Sequence, residues 1–259
     1  MLITRHEEAR AVLSDIRYVP PPVRQDAPEG TLAWLRARVS RFSTGAAHAE
    51  RRRLVTELLA ALDPGALRSA ARAMTLERHG DWQGVPTAVL GRALGVDDAA
   101  KLVAAVEAAS TGYLSGVVGP EADAGVAELV RLLPGEEAET VARVCVLLQA
   151  HTAIAGLVGN ALAHARPGDT VEALLHETLR QDPPLKATRR LDLRTGDEVV
   201  IDLVAANRDP DVFPEAARFD PARGETPHLT FGYGVRPCPA PAHALALAAG
   251  VLDALPEES

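Results

Sequence analysis

The sequence predicts a mainly α fold with a small residual β region. Apolar residues recur at helical spacing from the N-terminus to about residue 181, whereas alternation with a period of two appears only in "LKATRRLDL" and "EVVIDLV". The segment that follows, "NRDPDVFPEAARFDPARGETPHL", has almost no periodicity but many specific turn residues, which suits an ordered meander better than a linker. With 259 residues, 47% of them hydrophobic, and no internal repeat or low-complexity tract, the chain is expected to form a single domain over 1–259.

The elements follow in order. "TRHEEARAVLSD" places Ala9, Val12 and Leu13 on one helical face, and "VPPPV" ends that helix because proline lacks a donor and clashes with the preceding turn. "TLAWLRARVSRF" and "HAERRRLVTELLAAL" read as two helices separated by the small residues "STGAA". "DPGALRSAARAM" opens another, with Asp63 as N-cap and proline at the first helical position. Helical patterns continue through "VPTAVLGRALGV" and "DDAAKLVAAVEAASTGYL". "GEEAETVARVCVLLQAHTAIAGLVGNALAHARPGD" is the longest apolar helical run and predicts a helix through the domain centre. "TVEALLHETLRQD" is amphipathic and stops at Pro183 and Pro184, ahead of the two strand-like segments.

Composition excludes several classes. A net charge of -8 argues against a general nucleic-acid or membrane-surface binder. Aromatic residues at 3% leave few stacking platforms for bases. The uncharged run Val144 to Ala165 is interrupted by Gln149, His151, Thr152, Asn160 and His164, so it makes a poor membrane span. The N-terminus lacks the layout of a signal peptide, and a cytoplasmic location is expected. Two cysteines, Cys145 and Cys238, do not make a disulfide framework. Cys145 reads as core.

Cys238 lies between the glycine loop "FGYGVRP" and an alanine-rich helix. Glycines let the backbone approach closely, and a helix starting near Pro239 points its positive end at the sulfur, so this thiol is expected to ionise easily. A metal ligand, a nucleophile and an inert packed cysteine all remain open on these residues alone.

"FGYGVRPCPA" resembles the heme-binding loop of the cytochrome P450 family of heme-thiolate monooxygenases, Phe-Gly-x-Gly-x-Arg/His-x-Cys-x-Gly. Phe231, Gly232, Gly234, Arg236 and Cys238 match, and Ala240 replaces the final glycine. The resemblance implies heme b with Cys238 as the axial thiolate on iron, Phe231 shielding the sulfur, and Arg236 pairing with a heme propionate. "HETLR" supplies Glu177-x-x-Arg180 and "ARFDP" supplies Arg218, in the family's order, and together these imply a buried ion network bracing the meander. "HAERR" matches the family's His-x-x-x-Arg helix, implying propionate contacts from His48 and Arg52; Arg190 matches a further propionate-binding position, with Arg189 as the alternative.

The family's pattern is broken in two places. The chain is shorter than members usually are, so a truncated version of the fold is expected, lacking most of the N-terminal sheet and a helix ahead of Glu177. A homo-oligomer or a flatter, more open substrate side would be the physical compensation, because large apolar patches rarely stay exposed. The central helix also lacks the family's acid-alcohol pair: one register places Thr152 and Ala153 there, another places only "AGLVG", leaving His151 and Thr152 as the nearby catalytic candidates. The resemblance implies an oxidoreductase acting on a small organic substrate in biosynthesis, with electrons from a ferredoxin and reductase, or with peroxide. The alternatives are non-oxygenating heme chemistry and a non-catalytic heme-binding sensor or partner protein. A cysteine hydrolase finds no paired histidine and acid.

Overall fold

The computed structural model describes residues 1–256 and places eleven helices and four short strands around one long central helix. The N-terminal segment folds as β1 (Leu2–Ile3), α1 (His6–Ser14) and β2 (Tyr18–Val19). Next come α2 (Leu32–Arg38), a 3₁₀ turn at Ser40–Phe42, α3 (Gly45–Ala60), α4 (Pro64–Glu77), α5 (Val85–Ala93) and α6 (Ala99–Tyr113). Helix boundaries follow capping chemistry. The side chains of Thr31, Asp63 and Asp98 accept backbone N–H groups of the first turns of α2, α4 and α6.

Helix α7 (Pro120–Leu132) is absent from the elements that the sequence patterns predict, although its buried residues Ala122, Val126 and Leu129 recur at helical spacing. It pairs with α6 at close range because Gly125 lets the backbone at Ala105 approach: a Cβ there would come within 2.7 Å of that carbonyl oxygen.

Helix α8 (Glu137–His164) is the predicted central element. It is long and apolar enough to cross a membrane, yet more than half of its most apolar window is buried inside the protein. It packs against α3, α5, α6, α7, α9 (Val171–Gln181) and α11 (Pro241–Leu252), so most of the hydrophobic core is assembled on it.

The β region is small. β3 (Ala187–Asp192) and β4 (Glu198–Asp202) form an antiparallel hairpin with Arg189 opposite Val200. β1 joins β4 in parallel, Leu2 opposite Val200, and β2 joins β3, Val19 opposite Leu191, giving the order β1-β4-β3-β2. A one-turn helix, α10 (Leu203–Ala206), capped by Asp202, then leads into the meander.

Candidate heme-thiolate site

The cysteine loop is built from two left-handed glycines. Gly232 (φ +76°) and Gly234 (φ +65°) turn the chain, and the Cys238 N–H then donates to the Phe231 carbonyl at 2.6 Å, closing the loop on itself. Helix α11 begins just beyond, and the Ala240 N–H lies 3.4 Å from the Cys238 sulfur. Easy ionisation of this thiol, expected from the loop and the helix, is overturned by its burial. Burial raises the Cys238 thiol above its usual value, and the Ala240 N–H and the guanidiniums of Arg52 and Arg41 offset this only in part.

Around the loop stand cations without acidic partners among the described residues. Arg52 on α3 donates to the Pro237 carbonyl, and its charged form is disfavoured by burial. Arg236 is destabilised as a cation by burial and by Arg52. His48 is pushed down by burial, then by Arg236 and Arg52. Arg190, on β3, is pushed down to about 10 by burial, with Arg41 and Arg236 adding repulsion; its hydrogen bonds go to the Thr188 hydroxyl (2.9 Å) and the Arg189 carbonyl (2.8 Å). Arg189 instead faces Glu198 at 3.7 Å and is exposed. The sequence motifs did not single out Arg41, which adds charge to the same cleft.

Such a cluster is unfavourable by itself, since desolvation and mutual repulsion both act against it. It fits a rigid dianion set against a loop cysteine. Two carboxylates there would collect Arg52, Arg190 and Arg236 with hydrogen bonds from His48. Cys145, the other thiol, is unsuited to ligating such a group, because it is fully buried on α8, accepts from Gln149 Nε2 at 2.8 Å and lies 3.7 Å from the Tyr113 hydroxyl.

Behind the loop lies the buried ion pair. Arg180 donates to both oxygens of Glu177 at 2.6 and 2.8 Å and to the carbonyls of Asn207, Ala216 and Arg218. The third member differs from the expectation. The Arg218 side chain is 63% exposed and turns to Glu215 and Asp220, contributing only its carbonyl. Arg223 takes the place by charge, 3.6 Å from Glu177 and 14% exposed. The reason is local: Asp220 caps a 3₁₀ turn at Pro221–Arg223, which swings Arg223 inward. Asn207 links this network to the cysteine loop by accepting from the Leu229 N–H (2.7 Å) and donating to Thr230 (2.9 Å).

The two catalytic candidates on α8 are not brought together. His151 hydrogen-bonds Thr87 of α5 through Nδ1 at 2.8 Å, and burial favours its neutral imidazole. Thr152 is exposed and has no side-chain hydrogen bond among the described residues. It shares a helical face with Cys145, Gln149 and Gly156, and Gly156 meets Pro184 at the far end. His243, which reads from sequence as solvated, donates to the Leu59 and Leu62 carbonyls at 3.0 and 3.1 Å and so finishes the C-terminus of α3.

The structure joins a mostly helical domain to a cysteine loop on a helix N-terminus with unpaired arginines around it. Comparison with known proteins shows what this arrangement is similar to. The cytochrome P450 family matches residues 170–239, from the Glu177 helix through Cys238. Over nearly its whole length the chain adopts the fold of P450BioI, solved in complex with hexadec-9Z-enoic acid ligated acyl carrier protein: TM-score 0.79, 18% identity, 98% of this chain and 83% of that one. Two curated relatives are the biotin biosynthesis cytochrome P450 of Bacillus subtilis (strain 168), 35% identical over 80 residues, and Protein DesVIII of Streptomyces venezuelae, 36% identical over 124. These matches cover 27% and 39% of this chain but only 20% and 30% of those relatives. Residues 170–239 thus match the cytochrome P450 family, and the chain as a whole adopts the fold of solved cytochromes P450.

Proposed function

We propose that the protein is a heme-thiolate oxidoreductase that oxidises a small organic substrate in a biosynthetic pathway. The observation that carries this reading is the set of desolvated cations, His48, Arg52, Arg190 and Arg236, gathered without carboxylates around the loop that presents Cys238. In it the Cys238 thiolate would ligate the heme iron, and Arg52, Arg190 and Arg236 would hold the propionates through charge-assisted hydrogen bonds. When bound, the heme supplies the oxidative chemistry, drawing on dioxygen with electrons from a ferredoxin and reductase, or on peroxide.

The chain's own residues do the rest. Phe231 and the turn at Gly232 and Gly234 fix the position of the thiol, and Asn207 and the Glu177–Arg180 pair brace that loop from behind. Thr152 and Ala153 are exposed and Gly156 lies one turn further along α8, so this stretch of the helix face carries only small side chains. No acid-alcohol pair occurs on that face. Thr152 is the one hydroxyl there, and we assign it to orienting substrate or water.

One observation favours a second reading, a non-catalytic heme-binding partner protein. His151 is committed to Thr87, so the imidazole at the centre of α8 is not free to move protons. Turnover in isotopically labelled dioxygen, and separately with peroxide, tests between the two. Labelled or otherwise oxidised product supports the enzyme. Stoichiometric heme with no product from either oxidant, across substrates that shift the Soret band, supports the partner protein.

A further inference from the structure

Arg36 and Arg41 bring two guanidinium groups to one aromatic ring. The Arg36 Cζ lies 4.5 Å and the Arg41 Cζ 6.0 Å from the centroid of Phe42, whose ring meets Tyr113 edge-on at 5.6 Å. Arg38, between them in sequence, has an acid partner, Glu137 at 2.8 Å, and stacks on Trp34. Arg36 and Arg41 have no carboxylate partner among the described residues, and the buried Nε of Arg36 makes no hydrogen bond.

Arg36 lies apart from the cations near Cys238, and Arg41 connects it to them, since its charge acts on both Arg190 and Cys238. The Arg36 guanidinium packs beneath Gly116 (φ +79°), in the loop between α6 and α7 that carries the exposed side chains Leu114, Val117 and Val118. Arg41 shares the Phe42 ring with Arg36, and its charge is felt by both Arg36 and Arg190. Positive charge is therefore present from the α6–α7 loop to the cations near Cys238. Two propionates would be satisfied by Arg52, Arg190, Arg236 and His48, leaving two guanidiniums uncompensated in a partly desolvated place. Guanidinium forks match carboxylate geometry, and the apolar ring of Phe42, edge-on to Tyr113, lies beside both.

We propose that Arg36 and Arg41 bind the carboxylate of the substrate, so that the protein acts on small organic acids with an apolar body. This rests on the heme-thiolate reading above and deepens it by naming the substrate class. Arg41, nearer the cleft, makes the specificity-determining contact, and Arg36 holds the outer oxygen beneath the α6–α7 loop.

The test is a binding titration of heme-loaded protein with dodecanoate, 3-phenylpropanoate and benzoate, each against its primary amide, read by Soret shift and by calorimetry. At least one acid is expected to bind about tenfold or more tighter than its amide. In Arg41→Gln that preference should fall to near unity, and Arg36→Gln should weaken it, while heme content and the reduced carbon-monoxide spectrum stay as in the wild type. Equal binding of every acid and amide by heme-loaded wild type overturns the proposal, as does a preference that survives in the double variant. Loss of heme in Arg41→Gln also overturns it, by assigning Arg41 to the cofactor while the heme-thiolate reading stands. A wild type that takes up no heme overturns that reading first, and heme stoichiometry reports this separately.

Discussion

Glu177 and Arg180 form a bidentate pair at 2.6 and 2.8 Å in which neither side chain reaches solvent. Removing one partner leaves a buried charge uncompensated, so Glu177→Ala and Arg180→Ala should each cost about 3–5 kcal/mol. Arg218→Ala removes only an exposed pair and should cost under about 1 kcal/mol. Urea unfolding monitored by circular dichroism compares the three, and a large loss in Arg218→Ala would restore it as the third member of the network.

Gly234 makes the second prediction. Its φ is +65°, and a Cβ there would sit 2.5 Å from the Ser14 Cα and 2.9 Å from the Leu13 carbonyl oxygen. Beside it the Val235 N–H donates to that carbonyl at 3.3 Å, and Arg10 reaches the Tyr233 hydroxyl at 2.5 Å. Gly234→Ala should therefore push the cysteine loop off α1, with a cost of about 1–3 kcal/mol and a fall in heme occupancy after purification. Tyr233→Phe loses one exposed hydrogen bond and should keep heme at wild-type level.

Cys238 sets a pH dependence. Burial raises its thiol above the usual range, and in the proposed reading the ligand form is the thiolate, so ligation would release a proton. Heme affinity of the apoprotein should rise with pH across the neutral and mildly alkaline range. Fluorescence quenching titrations at several pH values check the sign; an affinity independent of pH would mean that the thiol is already ionised.

His228 sets another. Burial, with His176 adding repulsion, pushes it down to about 4, whereas an unfolded chain protonates histidine near 6.5. A depressed histidine favours the folded state above the unfolded value, and that stability is lost as pH falls toward the folded one. Between about pH 6.5 and 4 the loss should be on the order of 3 kcal/mol. His228→Gln should flatten the profile of unfolding free energy over that window.

Part of the fold and site is legible in the sequence because its signals are local. The cysteine loop, the Glu177–Arg180 spacing and the Asp63 cap each depend on residues within one turn or loop. The central helix and the β3–β4 hairpin follow from periodicity alone. Helix α7 carries a readable period at Ala122, Val126 and Leu129 that the interruption "SGVVGPE" obscures. What is not legible depends on distant pairings. Thr87, 64 positions from His151, takes the imidazole away from the cleft. A 3₁₀ turn substitutes Arg223 for Arg218 beside Glu177. The charge of Arg41 matters only once the fold sets it beside Arg190. Helix dipole and glycine loop point to an ionised Cys238, but burial is the larger effect.

Ligation of heme by the Cys238 thiolate is tested most directly by the absorption spectrum of the reduced, carbon-monoxide-bound protein, compared among wild type, Cys238→Ser and Cys145→Ser. A strongly red-shifted Soret band is expected in wild type and Cys145→Ser, and its absence in Cys238→Ser. Protein that takes up no heme when heme is supplied, or a red-shifted band that survives in Cys238→Ser, would contradict that ligation.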